Sequence, residues 1–419
     1  MANDRDGVFQ KNTELLKQIR QPLMRWFDEN ARVLPWREHP CTDGDGGGLP
    51  CINGASGEHL PDRAYAVWVS EIMLQQTRVE AVKPYYARFM EALPDIRTLA
   101  ECPEDRLLKL WEGLGYYSRV RNMQKAARVV MAEYDGRLPE EFEKLVKLPG
   151  IGSYTAGAIA SIAYGQAVPA VDGNVLRVLS RIVENEEDIS KQSVKKDAEE
   201  ALKAVMPCNS RNQSDVQGYS QLRTTQSRTT QSLWGSKNLP GTFNQSLMEL
   251  GALICVPNGF PACERCPVRL LCRAACDGRQ TEYPVKAKKK PRRIEERTVL
   301  VIRDSEHTAL RRRSPHGLLA GLYELPNWEG YLTREEALLR VSEIGFSPIR
   351  IRPLPEAKHI FSHVEWHMIG YLVQVEDREE PIKTLNQDKC DTFFIEPEVI
   401  QRVYSIPSAF AVYQRFING

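Results

Sequence analysis

The chain has no apolar run approaching the roughly 20 residues that a membrane-spanning helix needs, so no membrane-embedded helix and no membrane partner are expected. Residues 1–20 have neither the apolar core of a signal peptide nor the acid-free, arginine-rich texture of a transit segment. Net charge is nearly absent: 56 Lys and Arg face 55 Asp and Glu, a formal balance of +1. A global field therefore cannot draw the protein to a polyanion, and any such affinity must come from local patches. A disulfide framework is missing as well, because four of the ten cysteines crowd between Cys255 and Cys272 while the others scatter. These absences describe a soluble, intracellular protein in a reducing compartment.

What is present divides the chain. A length of 419 residues allows two or three domains. The spacing of Leu15, Leu16, Ile19, Leu23 and Trp26 predicts one helix over 12–26, ahead of an extended Val33–Arg37. Two polar stretches, about 41–60 and about 208–241, hold too few apolar residues to offset ordering entropy and read as insertions. Between Asp62 and Leu202 the pattern is helical, broken by Pro94, Pro103, Pro139 and Pro149, and it resumes over Phe243–Ile254. Past the cysteines the run Lys286–Arg293 is basic, and then the texture changes. Thr298–Ile302 and Met368–Val373 read as strands and Thr333–Ile344 as a helix. The expected architecture is multidomain: an all-α region over 1–276, a basic linker over 277–296 and an α+β domain over 297–419.

The most informative stretch is Leu148-Pro149-Gly150-Ile151-Gly152-Ser153-Tyr154-Thr155. A Gly-x-Gly hairpin that opens a helix presents Gly150 and Gly152 backbone N–H groups at a helix N-terminus, where a phosphate is held closely. About twenty residues on, Asp172 precedes the helical Asn174-Val175-Leu176-Arg177 and is available to a sugar beside that phosphate. On a helix over 65–78, the three-four-three spacing of Trp68, Glu71, Gln75 and Arg78 places them on one face, a carboxyl beside an aromatic and an amide. Cys255, Cys263, Cys266 and Cys272 form one C-x-x-C with outlying singles, a pattern closer to a cubane iron–sulfur cluster than to the paired knuckles of structural zinc. The loop they tie down carries Arg265, Arg269 and Arg273.

Taken together, Pro35-Trp36-Arg37, Val69 to Thr77, Trp111-Glu112-Gly113-Leu114-Gly115-Tyr116-Tyr117-Ser118-Arg119, the hairpin, Asp172-Gly173-Asn174-Val175, Phe243-Asn244-Gln245 and the four cysteines resemble the adenine DNA glycosylases of the MutY family, in family order, from about Asn12 to Ala275. The C-terminal part resembles that family's MutT-like module more loosely, through Gly317 to Pro326 and Phe361-Ser362-His363. The resemblance implies base-excision removal of adenine mispaired with 8-oxoguanine or guanine in double-stranded DNA. It places Glu71 as the acid at the purine, Asp172 beside the cationic sugar, and Tyr154 with Asn174 as ordering residues. Trp36, Arg37, Leu74 and Gln245 would line the adenine pocket. Gln75, Gln76, Tyr116, Gly150 and Gly152 would contact DNA, with Gln76 and Tyr116 as wedges, and Ser362 and His363 would read the oxidised guanine. A [4Fe-4S] cluster would sit on Cys255, Cys263, Cys266 and Cys272, although the seven residues enclosed by Cys255 and Cys263 exceed the family's usual six. Cys276 is a spare thiol.

Alternatives stay open at this level. An endonuclease III-like glycosylase with lyase activity carries a lysine where Tyr154 stands, and Tyr154 cannot form a Schiff base. A Nudix nucleotide hydrolase needs a glutamate box of which Arg334 to Gly345 keeps only fragments. A non-catalytic DNA-binding scaffold would not need Glu71 and Asp172 together. The remaining expectations are a monomer, followed by abasic-site repair proteins. The basic run is either a phosphate-facing linker or an import signal, giving a nuclear location, or the cytoplasm and nucleoid if the chain is prokaryotic.

Overall fold

The computed structural model describes residues 7–37, 62–209, 238–287, 291–377 and 392–418. The first expected insertion lies outside them, as do most of the second and residues 288–290 of the basic run. By their contacts the residues divide into two units, one of 1–101 and 122–288, the other of 102–121 and 289–419. Helices run in the order α1 (Thr13–Gln18), α2 (Arg20–Asn30), α3 (Arg63–Leu74), α4 (Val79–Ala92), α5 (Ile96–Glu101), α6 (Glu104–Leu110), α7 (Ser118–Glu133), α8 (Phe142–Leu145), α9 (Ser153–Ile162), α10 (Gly173–Val183), α11 (Gln192–Val205), α12 (Leu239–Leu253) and α13 (Arg273–Cys276). No described helix is long and apolar enough to cross a membrane.

Three expected helix boundaries are corrected. The first helix is two, broken at Ile19, because Pro22 has no N–H to give the Gln18 carbonyl. The helix expected over 65–78 stops at Leu74: Gln75 turns to ψ 113° and Gln76 is left-handed at φ 59°. Trp68, Glu71, Gln75 and Arg78 therefore do not share a helical face, and Trp68 is wholly buried. Finally, α12 opens at Leu239, inside the stretch assigned to the second insertion. The Asn238 side chain caps it by accepting from Gly241 N–H, and Asn209 accepts from Leu239 N–H.

The small residues of α9 let it pack closely between α3 and α12, so that the hairpin helix faces Glu71. Gly157 carries this approach: a β-carbon there would stand 2.2 Å from the Pro169 carbonyl oxygen, on the backbone that leads into Asp172. Gly157→Ala is expected to cost about 1–3 kcal/mol or more, read as a drop in thermal midpoint accompanied by slower catalysis. An unchanged midpoint would contradict this packing.

In the second unit a seven-stranded sheet has the order β3 (Tyr323–Glu324), β2 (Thr308–Arg312), β1 (Arg293–Arg303), β6 (Val364–Val375), β5 (Pro348–Ile360), with β4 (Asn327–Glu329) on β1 and β7 (Thr392–Ile395) on β2. β1 and β6 are parallel, Arg293 opposite Val364 through Arg303 opposite Gln374. Alternation along β1 gives Val299 and Val301 to one core, with Trp366 and Tyr413, and Leu300 and Ile302 to another, against α14 (Arg334–Glu343). Thr333 and Glu336 close a capping box on α14, and Glu343 pairs with Arg340.

Candidate active site

α3 opens on Asp62, whose carboxylate caps the Ala64 N–H, and it buries nearly every residue from Ala64 to Met73, including Glu71. Against it stands α9, which places Tyr154 two residues past Gly152. The Tyr154 hydroxyl donates to Glu71 Oε2 at 2.7 Å. Burial pushes the Glu71 carboxyl up to about 7; the Tyr154 hydrogen bond opposes this, nearby Asp172 adds to it, and Arg37 draws it down slightly. Burial likewise holds Tyr154 well above the ordinary phenol range, so it remains a hydrogen-bond donor.

Asp172 is the N-cap of α10. Its Oδ1 accepts from the N–H groups of Asn174 and Val175 at 2.9 and 2.8 Å, and its Oδ2 accepts from Asn174 Nδ2 at 2.7 Å. A carboxylate held by three hydrogen bonds at a helix N-terminus is fixed in place. Glu71, Tyr154, Asp172 and Asn174 all line one cleft of about 1080 Å³, together with Trp36, Arg37, Leu74, Gln245, Gln75, Gln76, Gly150 and Gly152. Trp36 packs edge-on against Tyr86, and Arg37 sits over the Phe27 ring. The left-handed φ of 77° at Gly150 and the Asn122 Cβ 2.6 Å from any β-carbon there explain that glycine. Gly152 is exposed, with open space beyond it.

Tyr116, Ser362 and His363 belong to the second unit, where the Tyr116 hydroxyl lies 2.8 Å from Ser362 Oγ. All three are exposed. Tyr116 and Gln76 are two of five described non-glycine residues with left-handed φ, at 47° and 59°. Such conformations are held by their surroundings. For Tyr116 the support is Arg119, which donates to the Leu114 and Gly115 carbonyls and lies over the Trp111 and Tyr116 rings.

Cys255, Cys263, Cys266 and Cys272 line a second, small cavity walled by Val178, Ile182, Leu250 and Ile254. Burial pushes the Cys266 thiol up to about 11 and that of Cys272 to about 12. Arg181 Nη1 reaches Cys255 Sγ at 3.2 Å. Four thiols in an apolar pocket with a buried guanidinium beside one sulfur suit a soft, anionic metal centre. Among the described residues, as they stand, no three His, Cys, Asp or Glu side chains form a group that could hold a metal ion. Arg265, Arg269 and Arg273 are exposed on this loop, and Cys276 is exposed beside it.

Several residues in and behind the cleft escaped the sequence reading. At the cleft wall the buried Glu249 pairs with the half-buried Arg32. Arg177 and Arg181, one turn apart on α10, are buried, and Arg177 links Asn174 Oδ1 to the carbonyls of Gly251 and Cys255. Two arginines on the apolar face of a helix were the available signal. Lys195 also lines the cleft, its amine bonded to Ser153 Oγ at 3.2 Å and paired with Glu199.

A buried acid and a helix-capping carboxylate in one cleft, beside a Gly-x-Gly hairpin whose helix supplies Tyr154, place the protein among base-excision DNA glycosylases. Residues 69–204 match the HhH-GPD superfamily of base excision DNA repair proteins, and residues 298–410 match the NUDIX domain. The chain is 34% identical over 425 residues to the adenine DNA glycosylase of Homo sapiens, covering 88% of this chain and 68% of that one. Its identity to the adenine DNA glycosylase of Rattus norvegicus is 34% over 421 residues, covering 88% and 72%. Among solved structures, a thermostable thymine-DNA glycosylase aligns with TM-score 0.46 and 22% identity over 64% of this chain and 99% of the other. The chain belongs to the adenine DNA glycosylase family, the MutY family, and is a DNA N-glycosylase of base excision repair.

Proposed function

We propose that the protein excises adenine paired with 8-oxoguanine or guanine by hydrolysis alone and leaves an abasic site. The observation that carries this reading is Glu71: a carboxyl whose pKa burial raises to about 7, hydrogen-bonded by Tyr154, in one cleft with the helix-capping carboxylate of Asp172. Cleavage of a purine N-glycoside is a glycoside hydrolysis, which needs an acid at the leaving group and an anion at the anomeric carbon. Glu71 gives its proton to N7 of an extruded adenine, and the C1′–N9 bond breaks with its electron pair leaving on the purine. Asp172 stabilises the oxocarbenium-like sugar, and water adds at C1′ and gives up a proton, which restores the acid form of Glu71. Trp36, Arg37, Leu74 and Gln245 surround the base, whose extrusion costs a few kcal/mol of lost stacking. Gln76 and Tyr116 act as the wedges that hold the strands open, and Ser362 with His363 reads the oxidised guanine.

Tyr154 at the hairpin helix supports the absence of a lyase step, and the Lys195 amine is engaged by Ser153 and Glu199. Cys255, Cys263, Cys266 and Cys272 would hold a [4Fe-4S] cluster, which supplies a structural crosslink that fixes the loop bearing Arg265 and Arg269 for phosphates. The protein acts as a monomer and hands its product to abasic-site repair proteins.

The test offers purified protein duplexes with adenine opposite 8-oxoguanine, guanine or thymine, with alkali to reveal abasic sites and borohydride to trap Schiff bases. The expected result is excision fastest opposite 8-oxoguanine, little opposite thymine, strand cleavage only after alkali, and no stoichiometric adduct. Equal cutting of all three, or a strong lysine adduct, would overturn the reading.

A further inference from the structure

The Arg32–Glu249–Arg37 cluster is built in a way that no part of the proposed reaction explains. Glu249 lies on α12, one turn after Gln245, and its carboxylate is almost completely buried. Oε1 accepts from the backbone N–H of Arg32 at 3.0 Å and from its Nε at 2.7 Å; Oε2 accepts from Arg32 Nη2 at 2.9 Å and from Arg37 Nη2 at 3.0 Å. Burial alone would raise this carboxyl, but the two guanidinium groups hold it down at about 2. It is therefore an anion at every working pH.

Arg37 is the consequential partner. Its guanidinium is nearly buried and directs its hydrogen bonds to Glu249 and to the Arg32 carbonyl. It lines the same cleft as Glu71, and its pull on that carboxyl ranks behind burial, Tyr154 and Asp172. A guanidinium in direct contact with a carboxyl ionises it, and an ionised Glu71 has no proton to give. Glu249 gives Arg37 another anion to hold. We propose that Glu249 is a positioning residue: by engaging Arg37 it keeps that guanidinium off Glu71, so the acid meets the purine still carrying its proton. The inference rests on the reading of Glu71 as the acid.

The other groups around Glu71 do not substitute for this arrangement. Tyr154 from α9 is a neutral donor, and Asp172 at the head of α10 is a fixed anion whose charge favours the protonated acid. Lys195 of α11 is bound to Ser153 and Glu199. Arg78 and Glu80, at the start of α4, are exposed at the cleft wall, and Arg32 is itself held by Glu249.

The experiment is the pH profile of single-turnover adenine excision by the full chain. Wild type is expected to lose activity as pH rises through about 7. Glu249→Gln is expected to move that alkaline limb down by about one to three pH units, with a loss of about fivefold or more at neutral pH. Adding Arg37→Met to Glu249→Gln removes the intruding cation and returns the limb to its wild-type position, at a lower plateau. If Glu249→Gln slows excision equally at every pH with the limb in place, the role is only structural and the proposal fails. Should Glu249→Gln not fold, Arg37→Met in the otherwise unaltered chain decides. A limb raised by less than about one pH unit supports the held-off guanidinium, and a rise of the size expected for direct contact overturns it. Glu71→Gln separates the two levels. If it excises at the wild-type rate both readings fall, whereas if it is inactive and the limb of Glu249→Gln does not move, only this one does.

Discussion

Glu71→Gln is expected to lower the single-turnover rate of adenine excision by about 10²- to 10⁴-fold while leaving DNA binding in place. Glutamine fills the same volume and still accepts the Tyr154 hydroxyl, but it has no proton for N7. Stability should move the other way. The folded protein holds a proton on Glu71 up to about pH 7, whereas the unfolded chain releases it near the ordinary 4.5. Because the folded-state value is the raised one, wild type progressively loses stability as pH climbs from about 4.5 through about 7. The loss approaches about 3 kcal/mol by linkage. The amide does not ionise, so Glu71→Gln should unfold at higher temperature than wild type above about pH 7 and match it in acid. Asp172→Asn should be similarly inactive yet folded, since an amide oxygen still caps Asn174 and Val175. Chemical-quench kinetics and thermal melts at two pH values check both variants. Retention of more than a tenth of the wild-type rate by either would remove the two-acid mechanism.

Arg177→Ala should produce the largest loss of stability. The guanidinium is buried and satisfies the Gly251 and Cys255 carbonyls together with Asn174 Oδ1. Truncation leaves two interior carbonyls without a donor, at about 1–3 kcal/mol each, and opens a void, so a total of about 3–5 kcal/mol is expected. Asn174 also loses the contact that orients it on Asp172, so excision should fall even where the variant remains folded. Cys255 loses its backbone anchor, so the iron and sulfide that the proposed cluster would contribute should drop with it. Arg177→Lys keeps the charge but not the fork of donors, and it should recover only part of either property. Calorimetry with iron analysis measures this; a midpoint unchanged in Arg177→Ala would show that the bridge is idle.

The C-terminal glutamates illustrate how far a motif reading reaches. Arg334 to Gly345 retains fragments of a Nudix box, and the family match over 298–410 agrees with the fold. Yet Glu336 caps its own helix and Glu343 pairs with Arg340, roles that the order of residues could not distinguish from metal ligation. The helix through Glu71 went the same way. A three-four-three spacing is a valid helical face only while the helix lasts, and the left-handed Gln76 ends it.

Sequence alone determined whatever is written locally or in order: the Gly-x-Gly hairpin before Tyr154, the placing of Asp172 just ahead of a helix, the cysteine window and the change from helical to strand texture near 297. Each depends on neighbours a few residues apart, where backbone geometry follows directly from residue type. The tertiary structure alone decided what depends on distant segments meeting. It brought Tyr154 onto Glu71, buried that carboxyl to near neutrality, and set Glu249 against two arginines more than two hundred residues earlier. Burial and pairing are properties of the packed interior, and they convert an ordinary glutamate into an acid that keeps its proton.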